Sequence, residues 1–127
     1  MAKSEKEKEG PARQILRKRD KNQKRIEKDA PLLAEGFGSL MKAYYSPSYL
    51  DAKYKELIAV ALSISRCCIP CLAVHIRNAV DAGATRGEVI DAAKIGVEFG
   101  GGPSFVVVRT HLLEFLDEFA REKKPGK

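Results

Sequence analysis

The apolar residues of this chain recur with the spacing of α-helices rather than of β-strands. The clearest stripe occupies positions i, i+3, i+4, i+7 and i+8 and consists of Tyr54, Leu57, Ile58, Ala61 and Leu62. A second stripe, near the end of the chain, consists of Phe105, Val108, Leu112, Phe115, Leu116 and Phe119. Residues 106–108 are three valines that could form a strand, but no other segment offers them a partner. The pattern therefore predicts an all-α fold.

Capping signals predict where the first helices begin. Pro11 opens a sparse helix with few apolar residues, which suggests that it depends on a neighbour. Asp29 and Pro31 fit the cap and the first turn of a second helix. Ser48 with Asp51 resembles a capping pair for a third.

The remaining boundaries bring the expected total to about six helices. We expect the fourth helix to begin at Cys67 or Cys68, close to the three cysteines of the chain. Thr85 and Glu88 have the spacing of a capping box for the fifth, and the sequence GGGP at 100–103 ends it. The stripe that starts at Phe105 then forms the last helix.

The length and composition favour one domain in a reducing compartment. We expect residues 11–127 to form a single helical domain, because 127 residues are too few for two domains of ordinary size. Residues 1–10 have too few apolar side chains to offset ordering entropy, so we expect a disordered tail. No apolar run approaches the ~18 residues of a membrane span, and no signal peptide is evident. We therefore expect a cytoplasmic protein with no membrane partner.

The positive charge is confined to the start of the chain. Residues 1–28 hold 11 Lys and Arg against 5 Asp and Glu, which accounts for the whole net charge of +6. The remainder holds 12 of each sign. A basic arm could bind nucleic acid, but it lacks base-reading or aromatic stacking motifs and would give only nonspecific affinity. Nucleic acid is therefore an unfavoured partner.

Residues 67–75, CCIPCLAVH, combine all three cysteines with one of two histidines. Cys68, Cys71 and His75 are spaced i, i+3 and i+7, which places them along one helix face. Thiols at a helix start can have pKa values of roughly 3.5–7.5, and a histidine one turn beyond Cys71 can accept its proton. The spacing therefore favours a catalytic dithiol.

Other interpretations of these residues remain open. Cys67, Cys68, Cys71 and His75 offer four donors for zinc, but a structural site normally takes ligands from two chain segments. No metal and no cofactor is therefore expected. The cysteines could also be apolar packing. Glu56 lies twelve residues before Cys68 and could reach the imidazole, although a glutamate near lysines is usually solvated.

The sequence also suggests positions for two tyrosines and for the second histidine. We expect Tyr44 and Tyr45 to pack in the core, with a place in the active-site pocket as the alternative. His111 has no partner in its pattern and is interpreted as a structural or surface histidine.

Residues 45–105 resemble the core of the carboxymuconolactone decarboxylase and alkyl hydroperoxidase D-like superfamily. Its redox branch has the pattern E-x11-C-x2-C-x3-H, matched here by Glu56, Cys68, Cys71 and His75. The following turn, AGATRGE at 82–88, and GGGP at 100–103 also match. Cys67 is absent from the family motif, and Pro70 replaces a polar residue that some peroxidases carry.

The resemblance implies a helical homo-oligomer, a trimer or hexamer, with a redox-active CxxC dithiol. It implies that the dithiol reduces peroxides or protein disulfides, with a peroxiredoxin or thioredoxin-like protein as a candidate partner. Glu56 and His75 would relay a proton from Cys71, the attacking thiol, while Cys68 would be the exchange-prone partner. The superfamily also contains decarboxylases, which generally lack the CxxC; a carboxymuconolactone-type decarboxylase is the alternative.

Overall fold

Residues 9–120 of the computed structural model form six consecutive helices and no strand. The first five helices are α1 (Pro11–Asp29), α2 (Pro31–Tyr45), α3 (Ala52–Ser65), α4 (Ile69–Asp81) and α5 (Arg86–Gly100). The sixth, α6, continues through three stretches, Gly102–Val107, the π-helical Val108–Leu112, and Leu113–Phe119. The prediction of an all-α fold with about six helices is confirmed.

The start of α1 is capped from the other end of the chain. Pro11 occupies the first helical position, and Gly10 provides no side-chain cap. Instead the Glu118 carboxylate accepts the backbone N–H groups of Ala12 at 2.7 Å and Arg13 at 3.0 Å. A carboxylate is favourable at this end of the helix dipole. This contact joins α1 to the last turn of α6.

The structure describes residues 9–120. Of the residues 1–10 for which disorder is predicted, residues 1–8 therefore lie outside the described range. Glu9 is described, and its carboxylate accepts from Arg17 Nε at 2.9 Å. Gly10 is described too, and its carbonyl accepts the Gln14 N–H at 3.1 Å.

Two predicted helix caps are wrong. Ala30, not Asp29, is the N-cap of α2, with Pro31 in the first turn. Helix α3 begins only at Ala52, after Asp51, whose side chain makes no capping bond, so Ser48 lies outside the helix. Neither helix start therefore has a side-chain capping hydrogen bond from its N-cap residue.

The capping box of α5 is confirmed. The Glu88 N–H donates to Thr85 Oγ1 at 3.1 Å, and the Thr85 N–H donates to Glu88 Oε1 at 2.9 Å. Lys53 of α3 adds an ion pair to Glu88 Oε2 at 3.0 Å. The Thr85 N–H and then Lys53 lower the pKa of the Glu88 carboxyl.

Helix α3 lies at the centre of the fold, against α4 and α5. Its buried face is formed by Glu56, Ala59, Val60, Ser63 and Ile64. Gly96 permits the close approach of α5, because a Cβ there would lie 2.4 Å from the Ala61 carbonyl oxygen. The remaining core side chains come mainly from α4, α5 and the second half of α6.

The apolar stripe of α3 lies on the surface rather than in the core. Tyr54, Ile58 and Leu62 are each at least half exposed, and they border a groove with Ile95 and Phe99 of α5. Helix α2 likewise buries none of its residues. Among residues 9–120, no helix combines the length and apolarity that crossing a bilayer requires.

The last helix does not present one continuous stripe. Leu112, Phe115 and Leu116 are fully buried, but Phe105 is half exposed. A π-helical turn inserts an extra residue into the repeat, so the buried face changes position between the two halves of α6. The expectation that Phe105 shares the stripe of the later residues is therefore wrong.

Candidate active site

Cys68 and Cys71 form a disulfide at the start of α4, with their Cα atoms 5.3 Å apart. Cys68 is the N-cap residue, and its Sγ accepts the Cys71 N–H at 3.3 Å. Pro70 is tolerated in the first turn, where amides lack helical acceptors. Cys71 is exposed and Cys68 is half-buried. The pair is therefore accessible to solvent while it sits at the positive end of a helix dipole.

The turn between α3 and α4 places Cys68 at the helix start. The N–H groups of Cys67 and Cys68 donate back to the carbonyls of Ile64 and Ser63, at 3.1 and 3.0 Å. Cys67 adopts a φ of 53°, in the left-handed region that favours glycine or asparagine. A side chain here is therefore held in a conformation that costs free energy.

Cys67 is not part of the disulfide. It is a free, exposed cysteine whose Sγ lies 3.8 Å from Ser104 Oγ. Ser104 is itself fully buried and donates to the Ile64 carbonyl at 2.7 Å. Cys67, which the family motif lacks, therefore points toward the start of α6.

Glu56 and His75 form a close pair between α3 and α4. His75 Nδ1 lies 2.7 Å from Glu56 Oε2, and the Glu56 residue is only 7% exposed. An ionised carboxylate can only accept, so we assign a proton to Nδ1, which leaves Nε2 as the basic atom when the ring is neutral. The structure thus brings together Glu56 and His75, as the resemblance implied.

Two further side chains hold this pair. Asn78 Nδ2 donates to Glu56 Oε1 at 3.4 Å, so both carboxylate oxygens are engaged. The Tyr45 ring stacks on the His75 ring, with centroids 5.6 Å apart and planes inclined by 19°. Burial, followed by the charge of Glu56, raises the pKa of the Tyr45 phenol.

The sequence contained partial signals for these two residues. Asn78 lies three residues after His75, a spacing that places it on the same helix face. Tyr45 was expected in the core, but it lines the His75 cleft, and Tyr44 is 55% exposed. Core packing is therefore the wrong role for both tyrosines.

The His75 imidazole lines a shallow cleft of ≈ 360 Å³ between α2, α3 and α4. Met41, Tyr45 and Asn78 line it together with Glu56 and His75. The two disulfide-bonded cysteines do not line this cleft, but Cys71 lies one helical turn before His75. A proton leaving a Cys71 thiol would therefore have a nearby route to the imidazole.

Within residues 9–120, no three His, Cys, Asp or Glu side chains are arranged to hold a metal ion. The sulfurs of Cys68 and Cys71 are bonded to each other in this structure. The donor set considered for zinc is therefore not assembled here.

Comparison with known proteins places the chain in a family. Residues 31–113 match the carboxymuconolactone decarboxylase family. An uncharacterized protein of Cupriavidus necator is 35% identical over 85 residues, covering 67% of this chain and 75% of that protein. An uncharacterized protein of the cox locus of Paracoccus denitrificans is 30% identical over 84 residues, covering 66% and 75%.

Two solved structures share the fold. A carboxymuconolactone decarboxylase family protein from Legionella pneumophila superposes with a TM-score of 0.75 at 33% identity, covering 85% of this chain and 93% of that one. A family protein from Thermotoga maritima, described with a suggested part in antioxidative response, gives a TM-score of 0.74 at 28% identity, covering 82% and 87%. With its CxxC pair consistent with the redox branch, this chain belongs to the carboxymuconolactone decarboxylase family.

Proposed function

We propose that this protein is a thiol-dependent oxidoreductase that reduces peroxides or protein disulfides with the Cys68–Cys71 dithiol. The observation that carries the proposal is the disulfide at the first turn of α4, on the helix that also carries His75 bonded to a buried carboxylate. A dithiol, a base and a group that orients the base are the parts that a thiol nucleophile requires.

Cys71 is the attacking thiol in this proposal. It lies four residues before His75, and side chains on a helix lean toward its N-terminus, so the imidazole leans toward Cys71. His75 Nε2 accepts the thiol proton while Glu56 stabilises the resulting imidazolium from Nδ1. Asn78 and Tyr45 hold that pair in position.

With a peroxide ROOH, the Cys71 thiolate attacks the terminal OH oxygen, and the O–O bond breaks with the alkoxide as the leaving group. The products are a sulfenic acid at Cys71 and the alcohol ROH, whose proton comes from the imidazolium. The Cys68 sulfur then attacks the sulfenic sulfur, and the proton of the Cys68 thiol passes to the leaving hydroxide, which forms the disulfide and releases water. In total, two thiols and ROOH give a disulfide, ROH and water.

Two thiols from a partner must return the disulfide to the dithiol. The sequence analysis predicts Cys68 as the exchange-prone partner; because Cys71 is the more exposed residue, we propose that an incoming thiolate can also reach the Cys71 sulfur. Cys68 then leaves as a thiolate, stabilised by the Cys71 N–H and the helix dipole. A thioredoxin-like dithiol would supply these electrons, and an oxidised peroxiredoxin would be a disulfide substrate in the reverse direction.

The family comparison supports an antioxidant role for this protein within the proposal. The Thermotoga maritima relative is described with a suggested role in antioxidative response. We extend the proposal to a cytoplasmic homo-oligomer, a trimer or hexamer, because a reducing compartment keeps such a dithiol supplied with electrons and the exposed apolar groove between α3 and α5 offers a surface for self-association.

Peptide mass mapping tests the chemistry. The protein is fully reduced, freed of reductant, and given one equivalent of cumene hydroperoxide or of a small disulfide. We expect the Cys68–Cys71 disulfide to form within the time of mixing, with the Cys67 thiol still open to alkylation. The Cys67→Ser variant is the control and should oxidise equally. Thiols that resist both oxidants, or disulfides that mainly involve Cys67, would contradict the proposal.

A further inference from the structure

A second cavity lies beside Ile69, in the first turn of α4. It occupies ≈ 530 Å³ between α1, α4 and α6, a volume within the range of small-molecule sites. Its apolar wall includes Ile15, Ile69 and Phe115. Lys18, Lys21 and His111 line it as well, so one cavity combines an apolar wall with the ammonium groups of two lysines.

The charge at this cavity is positive. Arg17 also lines it, but its guanidinium is paired with Glu9 at 2.9 Å. Within residues 9–120, neither Lys18 nor Lys21 forms an ion pair. The two lysines are three residues apart and share one helix face, so their ammonium groups can act on one ligand.

The cavity borders α4 at Ile69, and its lining does not include Cys68, Cys71 or His75. Ile69 lines it and directly follows Cys68, so their Cα atoms are about 3.8 Å apart. Ile69 and His75 are six residues apart on α4, which separates their directions by about 120° around the helix. A ligand in this cavity would therefore contact α4 at Ile69 without occupying the Glu56 and His75 cleft.

We propose that this cavity binds an amphipathic anion, an apolar chain that ends in a carboxylate. The apolar wall accepts the chain, and Lys18 and Lys21 attract the carboxylate.

Binding can be measured without any thiol chemistry. The probe is sodium octanoate, followed through the imidazole NMR resonances of the two histidines. We expect the His111 resonance to shift with saturation while the His75 resonance does not move. Octanol, which lacks the charge, and acetate, which lacks the chain, should each bind at least about tenfold more weakly. Equal affinity for octanoate and either comparator, or no shift at His111, would overturn the proposal.

A matched pair of double variants tests the lysines. Lys18→Gln with Lys21→Gln should weaken octanoate binding about fivefold, the size expected from two exposed charges. Lys24→Gln with Lys28→Gln removes the same charge from the same helix, outside the cavity lining, and should leave the affinity unchanged. Equal weakening by the two pairs would mean general attraction to a basic helix and would overturn the assigned site.

The two proposals fail in distinguishable ways. Saturable octanoate binding at His111 in a protein whose thiols ignore peroxides would remove the redox function but keep the site. Rapid turnover of cumene hydroperoxide without octanoate binding would keep the redox function and remove the proposed anion site.

Discussion

Glu56 orients the base of the proposed mechanism, although the spacing of apolar residues in the sequence does not identify it. It stands among Lys53 and Lys55, where a glutamate is normally solvated, yet it is 7% exposed. Its burial is acceptable because His75 and Asn78 engage its two oxygens. Periodicity alone could not identify that inward face, whereas the family motif did select the residue.

The role of His75 is testable through the pH dependence of Cys71. With Cys67 and Cys68 both changed to Ser, alkylation by iodoacetamide reports Cys71 alone. We expect His75→Ala to raise the midpoint of the rate by about one pH unit or more, because an imidazolium nearby favours the thiolate. His111→Ala is the matched control and should leave the midpoint in place. An unchanged midpoint in His75→Ala would remove the histidine from the proposed proton route.

Tyr45 offers a second test at the same scale. Its pKa is raised from 10.0 by burial and then by the charge of Glu56. The stability that Tyr45 contributes is therefore complete below pH 10.0 and is lost as the pH rises through the raised value. The absorbance of tyrosinate reports the titration of all four tyrosines together. In that titration, Tyr45→Phe should remove a component that titrates above pH 10.0. Glu56→Gln should move that component to lower pH; no change in either variant would show that the phenol does not sense this site.

At the scale of helices, sequence motifs predicted a helix start only where the capping residues are close together in the sequence. The Thr85 and Glu88 box depends on residues three apart and was predictable. The cap of α1 comes from Glu118, more than a hundred residues away, which no local pattern reveals. The periodic stripe of α3 correctly indicated a helix, but Ile58 and Leu62 face outward because Val60 and Ile64 pack against α4 and α5.

The contact between α3 and α5 depends on the absence of a side chain at Gly96. We expect Gly96→Ala to lower the free energy of unfolding by about 1–3 kcal/mol, since the new Cβ meets the Ala61 carbonyl and Ile64. Gly36→Ala, in α2 with open space around it, should instead add about 0.5–1 kcal/mol. Urea unfolding of both variants measures the difference. A neutral Gly96→Ala would mean that the helices separate at little cost.

At the scale of the whole molecule, a large apolar groove remains uncovered in one chain. It measures ≈ 510 Å³ and includes Tyr54, Leu62, Ile95 and Phe99, with Phe99 79% exposed. Exposed apolar patches of this kind mark sites of association. The amphipathic stripes indicated shared burial in advance, but they could not identify which faces remain open after the core has formed.

Light scattering tests this proposed self-association. At micromolar concentration we expect a mass well above the 14.0 kDa of one chain. Leu62→Glu combined with Ile95→Glu places charge in the groove and should shift the mass toward the monomer. Leu113→Glu, a single charged change on an exposed apolar residue of α6 outside that groove, is the control. A monomeric wild-type protein would refute the proposal.

Steady-state turnover of cumene hydroperoxide, with dithiothreitol as the electron donor, tests the central claim most directly. The wild-type protein is compared with three variants, Cys67→Ser, Cys68→Ser and Cys71→Ser, after subtraction of the uncatalysed rate. The dithiol account predicts that Cys67→Ser turns over like the wild type and that Cys71→Ser loses catalysis because the attacking thiol is gone. Cys68→Ser keeps that thiol, and its Cys71 should form a mixed disulfide with dithiothreitol in place of the internal disulfide. Full turnover by Cys71→Ser would contradict it.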